Sequence, residues 1–400
     1  MTGSLSEKLL RVLIVLCASI YLFALWVTRD NFNDFRILHL GGRLIKDGRP
    51  EEAYSADLFR EAWVADPTLD GIPAELEVFI STPPFALAMR PFSYFSSDVG
   101  LALWLALGII ALFAAIRLLR LPLWFALVGL ALPMGATNVF LGQTGFFALL
   151  WVATIWRLCA EDRPAAAGLV AGLAVLKPTL LLGVAIWWLI DWRRWQRALL
   201  SAAAVGSAIM VPTLFNGFEH YRLFQDALEA YGDNSGFNQP TIMEFVNRAL
   251  GTTIGSHPAA TATYLLVGVG LMVAAQRQWP DQPDVLCGAA VIVSVLVSPH
   301  LLIYDTVILF IPFAVARHRG ATTKTQDLLV ALVVITSLLN ILPIEPFPSI
   351  NQWTIPSTVG LIAAGWLWIS AIDSPVDGLA IRPTTVTNSP QSPSEMPDAA

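Results

Sequence analysis

The sequence predicts an all-α polytopic membrane protein, a bundle of about twelve transmembrane helices with two larger extracytoplasmic loops. Three observations carry that prediction. Of the 400 residues, 56% are hydrophobic and only 14% charged, whereas soluble domains run near a quarter charged, and mean hydropathy reaches +0.63. Apolar runs at 9–27, 259–275 and 328–342 each approach the roughly 20 residues a helix needs to cross about 30 Å of hydrocarbon. Lys and Arg gather where alternate spans meet the same side, as cytoplasmic loops do.

Taken in order, the run 9–27 starts beside Lys8 and Arg11 and ends in bulky Leu25, Trp26 and Val27. With no small-residue cleavage site it reads as an anchor, not a signal peptide. An outer loop covers about 29–98. Spans follow at about 99–117, returning to Arg117 and Arg120, at 121–138 outward, and at 144–157 inward to Arg157 and Arg163. A single span over 165–191 would leave Arg193, Arg194 and Arg197 outside, so this stretch is split at Lys177-Pro178. The split makes two half-helices of about 12 residues, roughly 18 Å each, too short to cross alone. The chain exits again over 198–216 and enters a second outer loop, 217–257, with an amphipathic stretch at 219–231. Five further spans, about 259–275, 284–299, 301–316, 327–343 and 354–372, put Arg277, Arg317, Arg319 and Lys324 inside. Both termini are then cytoplasmic. Residues 1–372 form one membrane domain, and 373–400, rich in Pro, Ser and Thr, form a disordered tail.

Several function classes drop out. A net charge of −6 with no dense Lys/Arg stripe excludes a general nucleic-acid footprint. The scattered Cys17, Cys159 and Cys287 read as buried small hydrophobes, neither a disulfide framework nor a metal site. No His/Cys cluster, Walker loop or Gly-x-Ser-x-Gly elbow occurs, so neither a metal, a cofactor nor a soluble nucleotide is expected. An enzyme built this way would draw an activated group already attached to a lipid.

The candidates for chemistry are polar groups at the outer ends of helices, because ionisable residues at membrane depth are costly and mark sites or pathways. Asp34, in Asn33-Asp34-Phe35 just past the first span, suits a general base for an acceptor hydroxyl; it equally suits the N-cap of the helix that Ile37, Leu38 and Leu44 outline. Lys177 is the sole lysine within a membrane segment. Its ammonium needs an anion, such as a lipid-linked phosphate, or snorkels to the surface beside the Pro178 kink. His300, in Ser298-Pro299-His300, can hydrogen-bond or protonate a phosphate and shares a helix face with Tyr304; a histidine satisfied in a polar turn is the alternative. Gly142-Gln143-Thr144-Gly145 is either a turn that lets a ligand approach or an ordinary glycine turn. Ser81-Thr82-Pro83-Pro84 shapes an interfacial segment. Asn234, Asn238 and Gln239 are hydroxyl binders or solvated loop.

The order of these motifs resembles glycosyltransferase family 87. Asn33-Asp34-Phe35, Gly48, Tyr54, Thr82-Pro83-Pro84, Pro91, Gly142-Gln143, Ala171-Gly172-Leu173 before Lys177-Pro178, and Ser298-Pro299-His300 with Tyr304-Asp305 carry the likeness, over about residues 30–310. That family comprises GT-C-type membrane mannosyltransferases that draw on polyprenyl-phosphate mannose. The resemblance implies a GT-C-type bundle in the cell membrane with an extracytoplasmic active site. It implies transfer of a sugar, mannose foremost, from a polyprenyl-phosphate donor to a glycolipid or glycan hydroxyl, with inversion. By the resemblance Asp34 becomes the base, with Asp30 in reserve, and Lys177, His300 and Gln143 fall near the donor phosphate; Tyr304 and Asn238 are, from their own chemistry, the candidate substrate binders. Membrane lipids are the remaining partners.

The rival reading is a transporter or flippase of a lipid-linked sugar, since broken helices and intramembrane charge also mark transport pathways. One clear break, at Lys177-Pro178, and long outer loops favour a surface active site over paired broken helices. A membrane scaffold leaves Lys177 without a purpose.

Overall fold

A computed structural model describes residues 34–69, 79–215, 218–234, 258–298, 303–321 and 365. Among the described residues there are helices and turns but no strand. The expected spans at 9–27, 327–343 and 354–372, and the tail, lie outside or almost wholly outside them, and the described residues do not establish a count of twelve.

The first group of helices builds a small core of its own. Helices α1 (Asp34–Lys46), α2 (Pro50–Tyr54), α3 (Ala56–Val64) and α4 (Pro83–Met89) bury Phe35, Leu40, Leu44, Phe59, Trp63, Phe79 and Met89 against one another. Helix α1 repeats apolar residues at helical spacing, and its buried face carries Phe35, Leu38 and Leu44. Pro50 and Pro83 stand at the first helical position of α2 and α4, where a missing N–H costs nothing. The Tyr54 ring lies 5.5 Å from Phe79 and 6.1 Å from Phe224. Phe224 belongs to a later amphipathic helix, α12 (Glu219–Asn234), which matches the expected stretch at 219–231.

Between these lie α5 (Ser97–Leu118), α6 (Trp124–Ala131), α7 (Pro133–Leu141), α8 (Gly145–Ala160), α9 (Pro164–Ala171), α10 (Leu182–Ile190) and α11 (Trp192–Phe215). After α12 come α13 (Pro258–Gln278), α14 (Pro283–Val297) and α15 (Phe310–His318). They share a second, larger core. Helix α5 and residues 192–214 are long and apolar enough to cross a bilayer singly. Leu103, Leu107 and Ile110 stay exposed on one side of α5, while Trp104, Ala111, Leu112 and Ala115 are buried on the other. Such an outward apolar stripe suits hydrocarbon and not water.

Three interruptions depart from straight spans. Residues 164–176 and 178–190 are separate short apolar helices, so the split at Lys177-Pro178 is as the sequence predicts. Pro178 supplies no N–H, and Lys177 leaves helical geometry at φ −151° and ψ 77°. The expected span at 121–138 is instead bent by 73° between α6 and α7, where Pro133 opens a new helix after extended Leu132. This corrects the reading of a single break. The expected span at 301–316 opens as a 3-10 turn, Ile303–Leu309, before α15.

The arginine-bearing ends assemble at one end of the bundle. His318 Nε2 meets the Leu119 carbonyl at 2.8 Å, Trp156 Nε1 donates to the Asp284 carbonyl at 3.2 Å, and Arg319 clamps the Asp284 carboxylate at 2.6 and 3.2 Å. Arg194 lies 3.6 Å from Asp162. From that end, residues 164–176 rise roughly 20 Å and α8 roughly 24 Å by helical geometry. Lys177 and Thr144 therefore arrive at a similar height.

Candidate active site

Broken helices leave backbone carbonyls and N–H groups without helical partners, and in a membrane these must be met by protein. Here the side chains that meet them also assemble the site. The Thr82 hydroxyl reaches the Val175 and Leu176 carbonyls at 3.1 and 3.2 Å, closing the end of the half-helix just before Lys177. Tyr54 donates to the Ser81 carbonyl at 3.1 Å, so the small core holds Thr82 in place. The Thr82-Pro83-Pro84 segment is thus a brace for the Lys177 apex.

Asn138, 1% exposed, ties together three segments. Its amide donates to the Met134 carbonyl at 2.8 Å and the Tyr304 carbonyl at 3.0 Å, and its Oδ1 accepts from the Gly145 N–H at 2.6 Å. The turn between α7 and α8 consequently sits against the 3-10 turn. Gly142 ends α7 at φ +65°, a left-handed cap that glycine adopts without strain. A Cβ there would also stand 2.5 Å from the Phe35 Cβ, so the turn is pressed directly onto the start of α1.

Two charges meet this turn from opposite ends. Asp34 opens α1, and the Gln143 amide donates to its Oδ2. The Gln143 Oε1 accepts from the Thr144 N–H at 3.4 Å, and the Thr144 hydroxyl accepts from Lys177 Nζ at 3.3 Å. Lys177 then pairs with Asp305 at 2.5 Å, and its Nζ lies 5.0 Å from the centre of the Tyr304 ring. A continuous polar path runs Asp34, Gln143, Thr144, Lys177, Asp305. Burial pushes the Asp34 carboxyl above the usual carboxylate range, while the Gln143 hydrogen bond and the Lys177 charge pull it back. A raised carboxyl is a stronger base, and a general base works best when its pKa lies near the working pH.

Of the residues singled out from the sequence, Asp34, Gln143, Lys177 and Tyr304 are brought together. Gln143, expected near donor phosphate, holds the Asp34 carboxylate. Tyr304, expected near substrate, is buried and supplies its ring to Lys177 and its carbonyl to Asn138. His300, Asn238 and the reserve base Asp30 lie outside the described residues. Sequence reasoning missed Asn138 as the tie and Asp305 as the partner of Lys177. A signal for Asp305 existed: it is the sole acid in residues 285–321, and a buried lysine requires an anion within reach.

Comparison with known proteins gives one family match. The profile of glycosyltransferase family 87 covers residues 79–299. The chain belongs to glycosyltransferase family 87. This family member is accordingly a membrane glycosyltransferase. The matched span includes Thr82, Asn138, Gln143 and Lys177, whereas Asp34, Tyr304 and Asp305 fall beyond its ends. No curated protein and no solved structure matches the chain.

Proposed function

We propose that this chain transfers a sugar, mannose foremost, from a polyprenyl-phosphate donor to a hydroxyl of a lipid-linked or glycan acceptor at the outer face of the cell membrane. The observation that carries the reading is the Asp34–Gln143–Thr144–Lys177 path, which sets a basic carboxylate and an ammonium on either side of one turn. Asp34 takes the acceptor's hydroxyl proton as the oxygen attacks the sugar's anomeric carbon. The bond from that carbon to the phosphate oxygen breaks, and polyprenyl phosphate departs with one more negative charge. Single displacement inverts the anomeric configuration. Lys177 meets the growing phosphate charge, an electrostatic contribution of the kind that often dominates catalysis. His300 is assigned to the same phosphate, and Asn238 to a hydroxyl of the substrate.

The side of action follows from charge. The ends tied together at Leu119, Asp162, Arg194, Asp284 and Arg319 are rich in arginine, which supports a cytoplasmic location for that end. Lys177, roughly 20 Å away by helical rise, then lies beyond the midplane of a hydrocarbon core of about 30 Å, nearer the outer leaflet.

A flippase is the second reading, and the bend at Pro133 favours it, since two broken helix pairs fit a transport pathway better than one. The family match weighs for transfer. The deciding test incubates purified protein with labelled polyprenyl-phosphate mannose and a panel of lipid and oligosaccharide acceptors. The proposal expects a labelled acceptor and free polyprenyl phosphate. Donor that crosses liposome membranes intact, with no cleavage, would establish the flippase instead.

A further inference from the structure

Asp305 has no part in the chemistry just described, yet it is the group closest to the proposed phosphate ligand. Its side chain is 1% exposed and that of Lys177 24% exposed, and they meet at 2.5 Å across 128 residues of sequence. Lysine presents three N–H donors on a flexible four-carbon stem. One is taken by Asp305 and one by the Thr144 hydroxyl at 3.3 Å, while the Tyr304 ring bounds the ammonium 5.0 Å away. Two acceptors and a ring fix the direction of a group that would otherwise swing toward water. The backbone under each acceptor is also held: Asn138 ties Tyr304, next to Asp305, to Gly145, next to Thr144.

We propose that Asp305 is a positioning residue for donor binding: it holds the Lys177 ammonium at membrane depth so that the remaining N–H faces the donor phosphate. The inference rests on the assignment of Lys177 to that phosphate. It also makes a prediction opposite in sign to simple charge counting. Removing a carboxylate beside an anionic ligand should strengthen binding by reduced repulsion. Removing the residue that aims the ammonium should weaken it.

Direct binding of labelled polyprenyl monophosphate to the full chain in nanodiscs tests this, because that lipid is common to donors of any sugar. The expected Kd of Asp305→Asn is at least about tenfold weaker than that of the native chain, since hydrogen bonds to charged groups carry roughly that much. Asp305→Glu should restore part of the loss by returning the charge. Lys177→Met should weaken binding as well, and adding Asp305→Asn to it should weaken binding further by well under about tenfold, because the ammonium it aims is gone. The double variant removes both charges and keeps the comparison available if Asp305→Asn alone fails to fold, as an unpaired buried ammonium can cause. Weakened binding in Lys177→Met together with unchanged or tighter binding in Asp305→Asn would overturn the positioning role alone. A further loss of about tenfold on adding Asp305→Asn to Lys177→Met would overturn it too. Unchanged binding in Lys177→Met would overturn the phosphate assignment and this inference with it.

Discussion

Gly145→Ala is the perturbation whose size the structure states most directly. A Cβ at position 145 would stand 2.5 Å from the Asn138 amide nitrogen and 2.6 Å from its oxygen, and closer still to the Tyr304 carbonyl oxygen. Ordinary contact begins at 3.4 Å, so clearing the Asn138 nitrogen alone takes 0.9 Å, and clearing the Tyr304 carbonyl takes more. Neither neighbour is a flexible tip: one is backbone and the other is held by three hydrogen bonds. The shift falls between Thr144 and Asp305, the two groups that hold Lys177. Displacements of about 1 Å at a catalytic constellation cost on the order of 10²-fold in rate, and overpacking a buried site costs roughly 1–3 kcal/mol of stability. The assay is sugar transfer at saturating acceptor, with thermal unfolding measured alongside. Gly270→Ala is the control, since a Cβ there meets nothing within 4 Å; it should leave transfer unchanged and gain up to about 1 kcal/mol from helix propensity. Turnover of Gly145→Ala within about twofold of native would refute the claim that this junction sets the geometry of the site.

Other expectations follow from the same contacts. Asp34 acts as a base only when ionised, so transfer should fall as pH drops through its raised pKa; Gln143→Leu removes a hydrogen bond that lowers that pKa and should move the acidic limb of the rate profile to higher pH. An unmoved limb would detach Gln143 from the base. Thr82→Val removes the hydroxyl that meets the Val175 and Leu176 carbonyls and should cost about 1–3 kcal/mol in thermal stability for the orphaned groups, which calorimetry reads. Asp233→Cys, in the segment assigned outside, should react with a membrane-impermeant thiol reagent added to intact cells, and labelling only after permeabilisation would invert the topology.

Much of this architecture was readable where a local feature forces it. Arg193, Arg194 and Arg197 after an apolar run, with Pro178 in its middle, required the split that the structure shows at Lys177. The amphipathic stretch at 219–231 and the helix beginning at Asp34 are likewise visible in spacing. The bend at Leu132-Pro133 was not, because the run on both sides is apolar and carries no charge whose placement would reveal a break. The site was legible as separate motifs and not as a site. Its contacts join residues 109, 128 and 166 positions apart, and no periodicity encodes such pairings. Hence the motifs alone put Gln143 with the donor, although its amide meets the base, and offer Lys177 an external anion, although Asp305 is the anion it meets in the fold.

The measurement that bears most directly on the account is transfer by Asp34→Asn. Asparagine keeps an oxygen to accept the Gln143 hydrogen bond but cannot take a proton. Because burial raises the Asp34 pKa, its ionised form costs the fold stability at neutral pH, so the variant should unfold at the same temperature or higher. The account predicts an intact protein that binds polyprenyl-phosphate donor as the native chain does and transfers no sugar. Native transfer rates in Asp34→Asn would contradict it.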